Sequence, residues 1–270
     1  MRHLGLGHFT FLDHDAVALV RLARAAGYDF VGLRFWPVAP GEVHYRPGTP
    51  AALAALRDAM AGEGVSLHDV ETVVIDEGFD PAGLAPVIEA AAALGARRLN
   101  VSADDWDRGA VVARLAAVAA MAGEAGLSVD LEPMAWRGID TPEKCLAVIE
   151  ATGAATIGYL TDALHHTRCG GTAATLAAMP PARLASVQLC DAPAAPPADM
   201  AGRLAEARGG RLPPGEGALD LAGMLAALPD HATLSVEVPM AVDTRPPLER
   251  ARAIHRATRA LLDAPRTERP

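Results

Sequence analysis

The sequence predicts an α/β protein folded as a single (β/α)8 barrel, the TIM-barrel architecture, on three observations. Short apolar segments alternate with helical segments at a spacing of roughly 30 residues. This alternation runs through ~265 residues and gives eight strand–helix pairs, as a barrel requires. The composition, 51% hydrophobic and 21% charged, can bury a large core. An open doubly wound sheet is the alternative, although no G-x-G-x-x-G turn supports dinucleotide binding.

The predicted elements follow one another along the whole chain. The strands are predicted at residues 4–10, 30–35, 65–75, 97–101, 127–132, 156–161, 184–190 and 233–238. The helices are predicted at residues 15–26, 51–63, 81–94, 108–125, 141–152, 172–179, 219–228 and 245–263. Apolar residues at helical spacing indicate the helices, and a glycine such as Gly27 ends several of them. Thr141 and Pro142 supply a cap and a first-position proline to the fifth helix. The barrel is predicted to occupy residues 1–264, before a polar tail at 265–270.

Charge and cysteine content limit the partners of the protein. The net charge of −9 disfavours binding to nucleic acid or to an anionic membrane. Cys145, Cys169 and Cys190 are widely spaced, which indicates a reducing compartment. No signal-peptide segment follows Met1, and no apolar run approaches the ~18 residues of a membrane span. We therefore expect a cytoplasmic protein with a small-molecule partner. The sequence leaves its oligomeric state open, a homo-oligomer included.

Oxygen-bearing side chains lie near the ends of four consecutive predicted strands: Glu132, Asp162, Gln188 and Glu237. The C-terminal ends of barrel strands face one shared cavity. Three carboxylates in an enclosed site repel one another and favour a bound cation. Oxygen ligands suit Mg²⁺, Mn²⁺ or Co²⁺ better than structural zinc. The sequence therefore predicts a divalent-metal site, whereas the alternative is that each acid is an ordinary strand-end residue meeting solvent.

The motifs at these positions resemble those of the xylose-isomerase-like barrel superfamily. That group includes sugar-phosphate isomerases and epimerases, inosose isomerases and dehydratases, and 3-dehydroshikimate dehydratases. The motifs are LEPM with Glu132, TDALHHTRCGG with Asp162 and His165, VQLCDAP with Gln188, RLPPGEG with Arg211, and SVEVP with Glu237. The resemblance covers essentially the whole chain and implies that the metal is held by Glu132, Asp162, Gln188 and Glu237. Many epimerases of the group carry histidine where Gln188 stands, and glutamine there is similar to the dehydratase branch.

Further polar residues are candidates for the reaction and for substrate binding. His165 follows Asp162 by three residues, and the resemblance favours it as an acid/base group beside the metal. Arg168 and Arg211 are predicted to hold the substrate by forked hydrogen bonds. Arg211 lies in the one oversized connection, residues 192–217, which leaves the seventh strand at the rim that carries chemistry. Each arginine has a surface role as its alternative.

The pocket wall is predicted to include Glu71 on the third strand and Trp136 after the fifth. Strand alternation places Glu71 and Asp69 on one face of the third strand. A plain strand-end acid is the alternative for Glu71, and a core or lid residue for Trp136. The roles of Arg34, Asn100 and Arg208 stay open, and His8 is expected in the core.

The resemblance implies a divalent-metal-dependent isomerase or epimerase of a small polyhydroxylated carbonyl compound, such as a keto-sugar, sugar phosphate or keto-cyclitol. Glu132, Glu237 and His165 would move a proton next to the carbonyl, through an enediolate that the metal stabilises. Loss of a β-hydroxyl after the same first step gives the alternative, a dehydratase of the 3-dehydroshikimate or inosose type. A further hypothesis, from outside the enzymes, is a barrel that binds a ligand without catalysing a reaction.

Overall fold

The computed structural model describes residues 2–38, 41–104 and 107–264 and confirms the predicted barrel. Eight strands close in sequence order, each parallel to the next, and the last pairs with the first. The strands are β1 Leu4–Leu6, β2 Phe30–Arg34, β3 Ser66–Ile75, β4 Arg98–Ala103, β5 Ser128–Glu132, β6 Ile157–Asp162, β7 Ser186–Leu189 and β8 Thr233–Val236. Their C-terminal ends therefore meet around one opening.

Helices cover the outside of the barrel. They are α1 Ala16–Ala26, α2 Pro50–Glu63, α3 Ala85–Ala93, α4 Arg108–Glu124, α5 Pro142–Ala151, α6 Ala163–Arg168, α7 Ala173–Ala178, α8 Met200–Gly209, α9 Leu221–Ala227 and α10 Pro247–Asp263. Thr141 caps α5 as predicted, accepting a hydrogen bond from the Lys144 backbone N–H. Within the described ranges, none of these helices is long and apolar enough to cross a membrane.

The first strand is shorter than predicted because its end turns into a 3₁₀ helix, His8–Phe11. The backbone N–H groups of His8 and Phe9 donate to the Glu71 carboxylate, at 2.8 and 3.3 Å, instead of to a neighbouring strand. The His8 ring lies in the core, as expected, and its Nδ1 accepts from the Arg34 backbone N–H at 3.1 Å. These contacts fix the end of β2 against the end of β1.

The long connection after β7 also differs from the prediction, because it contains α8. Asp199 caps this helix, and the residues it buries are Glu206 and Ala207. Its sequence therefore has no apolar stripe that would predict a helix here. Asp191, just after β7, bridges to Leu212 through two backbone hydrogen bonds of 2.8 Å. This bridge carries the chain from α8 back to the barrel opening.

A polar layer fills the barrel interior below the opening. The Asp69 carboxylate accepts from Asn100 Nδ2 at 2.6 Å, and Asp130 accepts from Arg98 at 3.0 Å and from Ser186 at 2.7 Å. Asn100, whose role the sequence leaves open, thus lies inside the barrel on β4. Asp69 and Glu71, which strand alternation places on one face of β3, are both buried.

Candidate metal and substrate site

A cavity of about 310 Å³ opens at the C-terminal ends of the strands. Its inner end is formed by Glu132, His165, Arg211 and Glu237. Its outer end is formed by residues of the connecting segments, which include Phe9, Glu42 and Trp136. This size is suited to a small-molecule ligand. The cavity brings together side chains from β2, β5, the α6 helix and the loops that follow α8 and β8.

Glu132 is the last residue of β5 and is buried at the inner end of the cavity. Its Oε1 atom has no hydrogen-bond partner among the described residues and lies 3.9 Å from His165 Nε2. Burial, together with the charges of Asp162 and Glu237, raises the pKa of the Glu132 carboxyl well above its ordinary value. A carboxylate held in this way is available to a cation.

Asp162 ends β6 and caps α6, so strand and helix both position its carboxylate. One oxygen accepts from the His165 backbone N–H at 2.8 Å, and the other from Arg211 Nη1 at 2.6 Å. Burial alone would raise the pKa of this carboxyl, but the Arg211 guanidinium and His165 lower it below its ordinary value. Asp162 therefore stays ionised in the interior.

Arg211 is fully buried and joins the acids on two sides of the site. Its Nη2 atom lies 3.1 Å from Glu237 Oε2 and 3.1 Å from His165 Nε2. Because a guanidinium only donates, Nε2 of His165 is the acceptor in this contact. Arg211 was predicted to bind substrate; the structure places it in the cavity wall, where it also holds Asp162 and Glu237 in place.

Gln188 lies on β7 and Glu237 follows the last residue of β8. Gln188 Nε2 donates to Glu237 Oε1 at 3.2 Å, so both oxygens of Glu237 are engaged, one by Gln188 and one by Arg211. Burial raises the pKa of the Glu237 carboxyl to about 8, although Arg211 opposes the rise. Gln188 is buried beneath the cavity and does not line it.

The inner end of the cavity fits a divalent cation. Ligand atoms of Glu132, Asp162 and His165 lie within 4.8 Å of one another. The carboxylates of Glu132, Asp162 and Glu237 with the guanidinium of Arg211 leave two negative charges, which one divalent ion would balance. The same ion would remove the repulsion that raises the pKa of Glu132. Glu132, Asp162 and His165 are the described residues whose ligand atoms converge and that could hold it. Gln188 and Glu237, which the sequence also predicts as ligands, are hydrogen-bonded to each other.

His165 is neutral at ordinary pH. Burial lowers the pKa of its imidazole to about 4, against the opposing attraction of Asp162. Its ring packs edge-on against Trp136 with the ring centres 5.0 Å apart. Nδ1 is buried with no partner among the described residues. A neutral imidazole in this position can accept a proton.

Of the other three predicted substrate-binding residues, one lines the cavity and two do not. Trp136 lines the cavity, as predicted. Glu71 lies beneath it and holds the backbone of residues 8 and 9. Arg168 lies outside the cavity lining, and its guanidinium pairs with Glu206 at 2.7 Å and donates to the Pro193 carbonyl at 2.7 Å. The geometry therefore gives Arg168 a structural ion pair in place of the predicted substrate contact, because its donors are already used.

Sequence reasoning left the roles of Arg34 and Arg208 open and did not consider Arg137 or Glu42. Arg34, Arg137 and Arg208 line the outer end together with Glu42. Arg34 ends β2, so its position at a strand end was a signal for it. The others lie on loops or at a helix end, where no periodicity places a side chain in the cavity.

The family model described as xylose isomerase-like TIM barrel matches residues 20–261 of the chain. The chain belongs to the xylose isomerase-like TIM barrel family. No curated protein matches it in sequence.

Solved structures share the fold at low sequence identity. An IolI protein with a bound zinc atom superposes with a TM-score of 0.75 at 20% identity, covering 97% of each chain. D-allulose 3-epimerase from Methylomonas sp., in complex with D-allulose, gives a TM-score of 0.67 at 17% identity and covers 94% of this chain and 90% of its own. The probable 3-DHS dehydratase AsbF of Bacillus anthracis gives 0.73 at 12% identity, covering 98% and 100%. At these identities the likeness shows the fold.

Proposed function

We propose that this protein is a divalent-metal-dependent isomerase or epimerase of a small polyhydroxylated carbonyl compound. The observation that carries the proposal is the convergence of Glu132, Asp162 and His165, with ligand atoms within 4.8 Å, at the inner end of a small-molecule cavity. The unpartnered Glu132 Oε1 supports a bound cation there. The zinc of IolI and the allulose of the epimerase, both in proteins of the same fold, agree with a metal and a sugar-like substrate.

The chemistry is proton transfer next to the substrate carbonyl. A bound divalent ion would polarise the carbonyl and lower the barrier to loss of the neighbouring proton. His165 Nε2 and Glu132 Oε1 lie 3.9 Å apart, and these are the two groups that transfer the proton. Neutral His165 accepts the proton at Nε2 when the Arg211 hydrogen bond to that atom is released. Arg211 keeps Asp162 ionised, and Trp136 fixes the imidazole ring from the side.

A dehydratase is the second candidate, and the position of the proton carriers favours it over an epimerase. Glu132 Oε1 has no hydrogen-bond partner among the described residues and lies 3.9 Å from His165 Nε2, so we place both groups on one face of the substrate. Glu237 has both oxygens engaged by Gln188 and Arg211. Inversion at carbon needs a proton donor on the second face, so epimerisation requires the release of Glu237. A proton shift within an enediol, or loss of a β-hydroxyl, needs only one face. The probable dehydratase AsbF has the same fold.

Metal content and activity of two variants test the proposal. We expect Glu132→Gln to lower bound Mn²⁺ about 10-fold or more, since it removes a ligand charge, and to abolish turnover. Glu237→Gln is expected to do the same. Glu77→Gln, which changes an exposed acid, is the control. Wild-type metal content and activity in both site variants would refute the metal site.

A screen of keto-sugars and keto-cyclitols with Mn²⁺ in deuterated water separates the two reactions. Isomerisation or epimerisation gives an isomeric product that carries deuterium. Dehydration of 3-dehydroshikimate or an inosose gives a new ultraviolet chromophore. Product formation without added or bound metal would contradict both candidates.

A further inference from the structure

We propose that the outer end of the cavity is a binding site for an anionic group of the substrate, a carboxylate or a phosphate, formed by Arg34 and Arg208 with Glu42 as the counter-ion that the anion replaces. The proposal rests on the proposed function, which places the carbonyl end of the substrate near Glu132 and His165. The new part is that the opposite end of the substrate is anionic and that Arg34, Arg208 and Glu42 select for this charge.

Arg34 is a buried guanidinium with an unused donor. It is 5% exposed, and its Nε atom has no hydrogen-bond partner within the described ranges. The guanidinium lies 4.5 Å over the Phe9 ring, a contact that fixes its plane but satisfies none of its N–H groups. The backbone of Arg34 is held by His8 Nδ1, so the side chain starts from a rigid point. Burying donors without acceptors is unfavourable, so this side chain is prepared for a further partner.

Glu42 is a loose partner for two arginines. Its Oε2 lies 3.8 Å from Arg34 Nη1, and its Oε1 lies 3.6 Å from Arg208 Nη1. Both separations exceed hydrogen-bond distance, and Oε2 has no hydrogen-bond partner among the described residues. The Glu42 carboxylate therefore lies between the two guanidinium groups without forming a hydrogen bond to either. A substrate oxyanion that reaches Arg34 gains the short, charge-assisted hydrogen bonds that Glu42 lacks.

The two ends of the cavity differ in charge. The inner end has a net negative charge, which a metal ion would balance, because its three carboxylates (Glu132, Asp162 and Glu237) outnumber the one guanidinium of Arg211. At the outer end Arg34, Arg137 and Arg208 face Glu42, and Arg137 is also paired with Asp104 at 3.3 Å. A substrate with a carbonyl and hydroxyls at one end and an anion at the other matches this order. An uncharged sugar offers Arg34 only neutral hydroxyl acceptors, whose hydrogen bonds to a guanidinium are weaker than those of an anion.

The test compares three ligands that share a polyol chain: D-glucitol, D-gluconate and D-glucitol 6-phosphate. Their affinities are measured by calorimetry on the Mn²⁺-loaded protein and on the protein stripped of metal. We expect at least one anion to bind about 10-fold or more tightly than glucitol, and Arg34→Gln to remove this advantage. Glu42→Gln should strengthen anion binding, because it removes the competing charge. Arg256→Gln makes the same charge change on the exposed face of α10 and should leave all affinities unaltered.

The outcomes separate this site from the proposed function. Preference for gluconate identifies a carboxylate substrate, and preference for the phosphate identifies a sugar phosphate. Equal affinity for glucitol and both anions in wild type, or an anion preference that survives Arg34→Gln, overturns the anion site and leaves the metal chemistry standing. If the protein binds no divalent metal while the Arg34-dependent preference persists in the stripped protein, the proposed function fails and the anion site stands.

Discussion

At the scale of single residues, His165 has two roles open to it, and one variant separates them. It lies among the metal-ligand candidates, yet its burial keeps it neutral and able to take a proton. We predict that His165→Asn lowers kcat about 100-fold or more, as loss of a general base does, while the bound Mn²⁺ stays at the wild-type level. Steady-state kinetics and metal analysis of the same preparation measure both. Parallel loss of metal and activity would make His165 a ligand instead.

Arg168 is the residue whose predicted role the geometry changes, and its prediction concerns stability. Its guanidinium and the Glu206 carboxylate form a largely buried pair at 2.7 Å. Arg168→Met leaves Glu206 without its partner, so the free energy of unfolding should fall by about 3 kcal/mol, with KM unaltered. Urea titration and kinetics measure the two effects.

The matched double variant, Arg168→Met with Glu206→Met, removes both charges and should recover most of the lost stability. A large rise in KM at unaltered stability in the single variant would restore Arg168 to substrate binding.

At the scale of elements, the connection from β7 to α9 depends on the Asp191 carboxylate. It accepts from the backbone N–H groups of Gly215 at 3.0 Å and Leu219 at 3.0 Å, and Asp191 also bridges to Leu212. We predict that Asp191→Asn lowers the free energy of unfolding by about 1–3 kcal/mol, because one N–H then faces an amide donor. Activity should fall as well, because Leu212 of this bridge directly follows Arg211, and the bridge therefore helps to hold Arg211 in the site.

Thermal and urea unfolding with kinetics test this element, and the exposed Asp230→Asn is the matched control. An Asp191→Asn protein with wild-type stability and activity would show that the loop is held by other contacts.

The same connection shows what the sequence could and could not predict. The barrel follows from strand and helix periodicity, which depends on local spacing, and the convergence of Glu132 and Asp162 follows from parallel strands. The helix α8 has no apolar stripe to signal it, because the side chain it buries beside Ala207 is Glu206, whose partner lies on α6. The cap Asp199 was the one local signal.

At the scale of the whole molecule, the barrel register explains which strand-end acids meet, but it does not specify their partners. Arg211 reaches Asp162 and Glu237 from a loop 49 and 26 residues away in sequence. No pattern in the sequence encodes such a contact, since it depends on how α8 and the loop pack over the opening. The ion pairs of the site, and the arginines of its outer end, required the three-dimensional structure.

The polar interior of the barrel should be visible in the pH dependence of global stability. Burial is the largest cause that raises the pKa of Asp69, from 3.8 to about 7. The Asn100 hydrogen bond opposes this rise, and the charge of Asp130 adds to it. Between these pH values the folded protein holds a proton that the unfolded chain has lost. Asp69 therefore lowers stability as pH rises from about 4 to 7, and the full penalty remains above pH 7.

Asp69→Asn removes this titration while its amide oxygen can still accept the hydrogen bond from Asn100. The variant should therefore exceed the wild type in free energy of unfolding by about 2–4 kcal/mol at pH 8, and the difference should vanish below about pH 4. Urea unfolding at a series of pH values measures it, with the exposed Asp58→Asn on α2 as control. Wild-type and Asp69→Asn curves that run parallel across this range would show that Asp69 is ionised in the folded barrel, and that Arg98 or another interior cation compensates its charge.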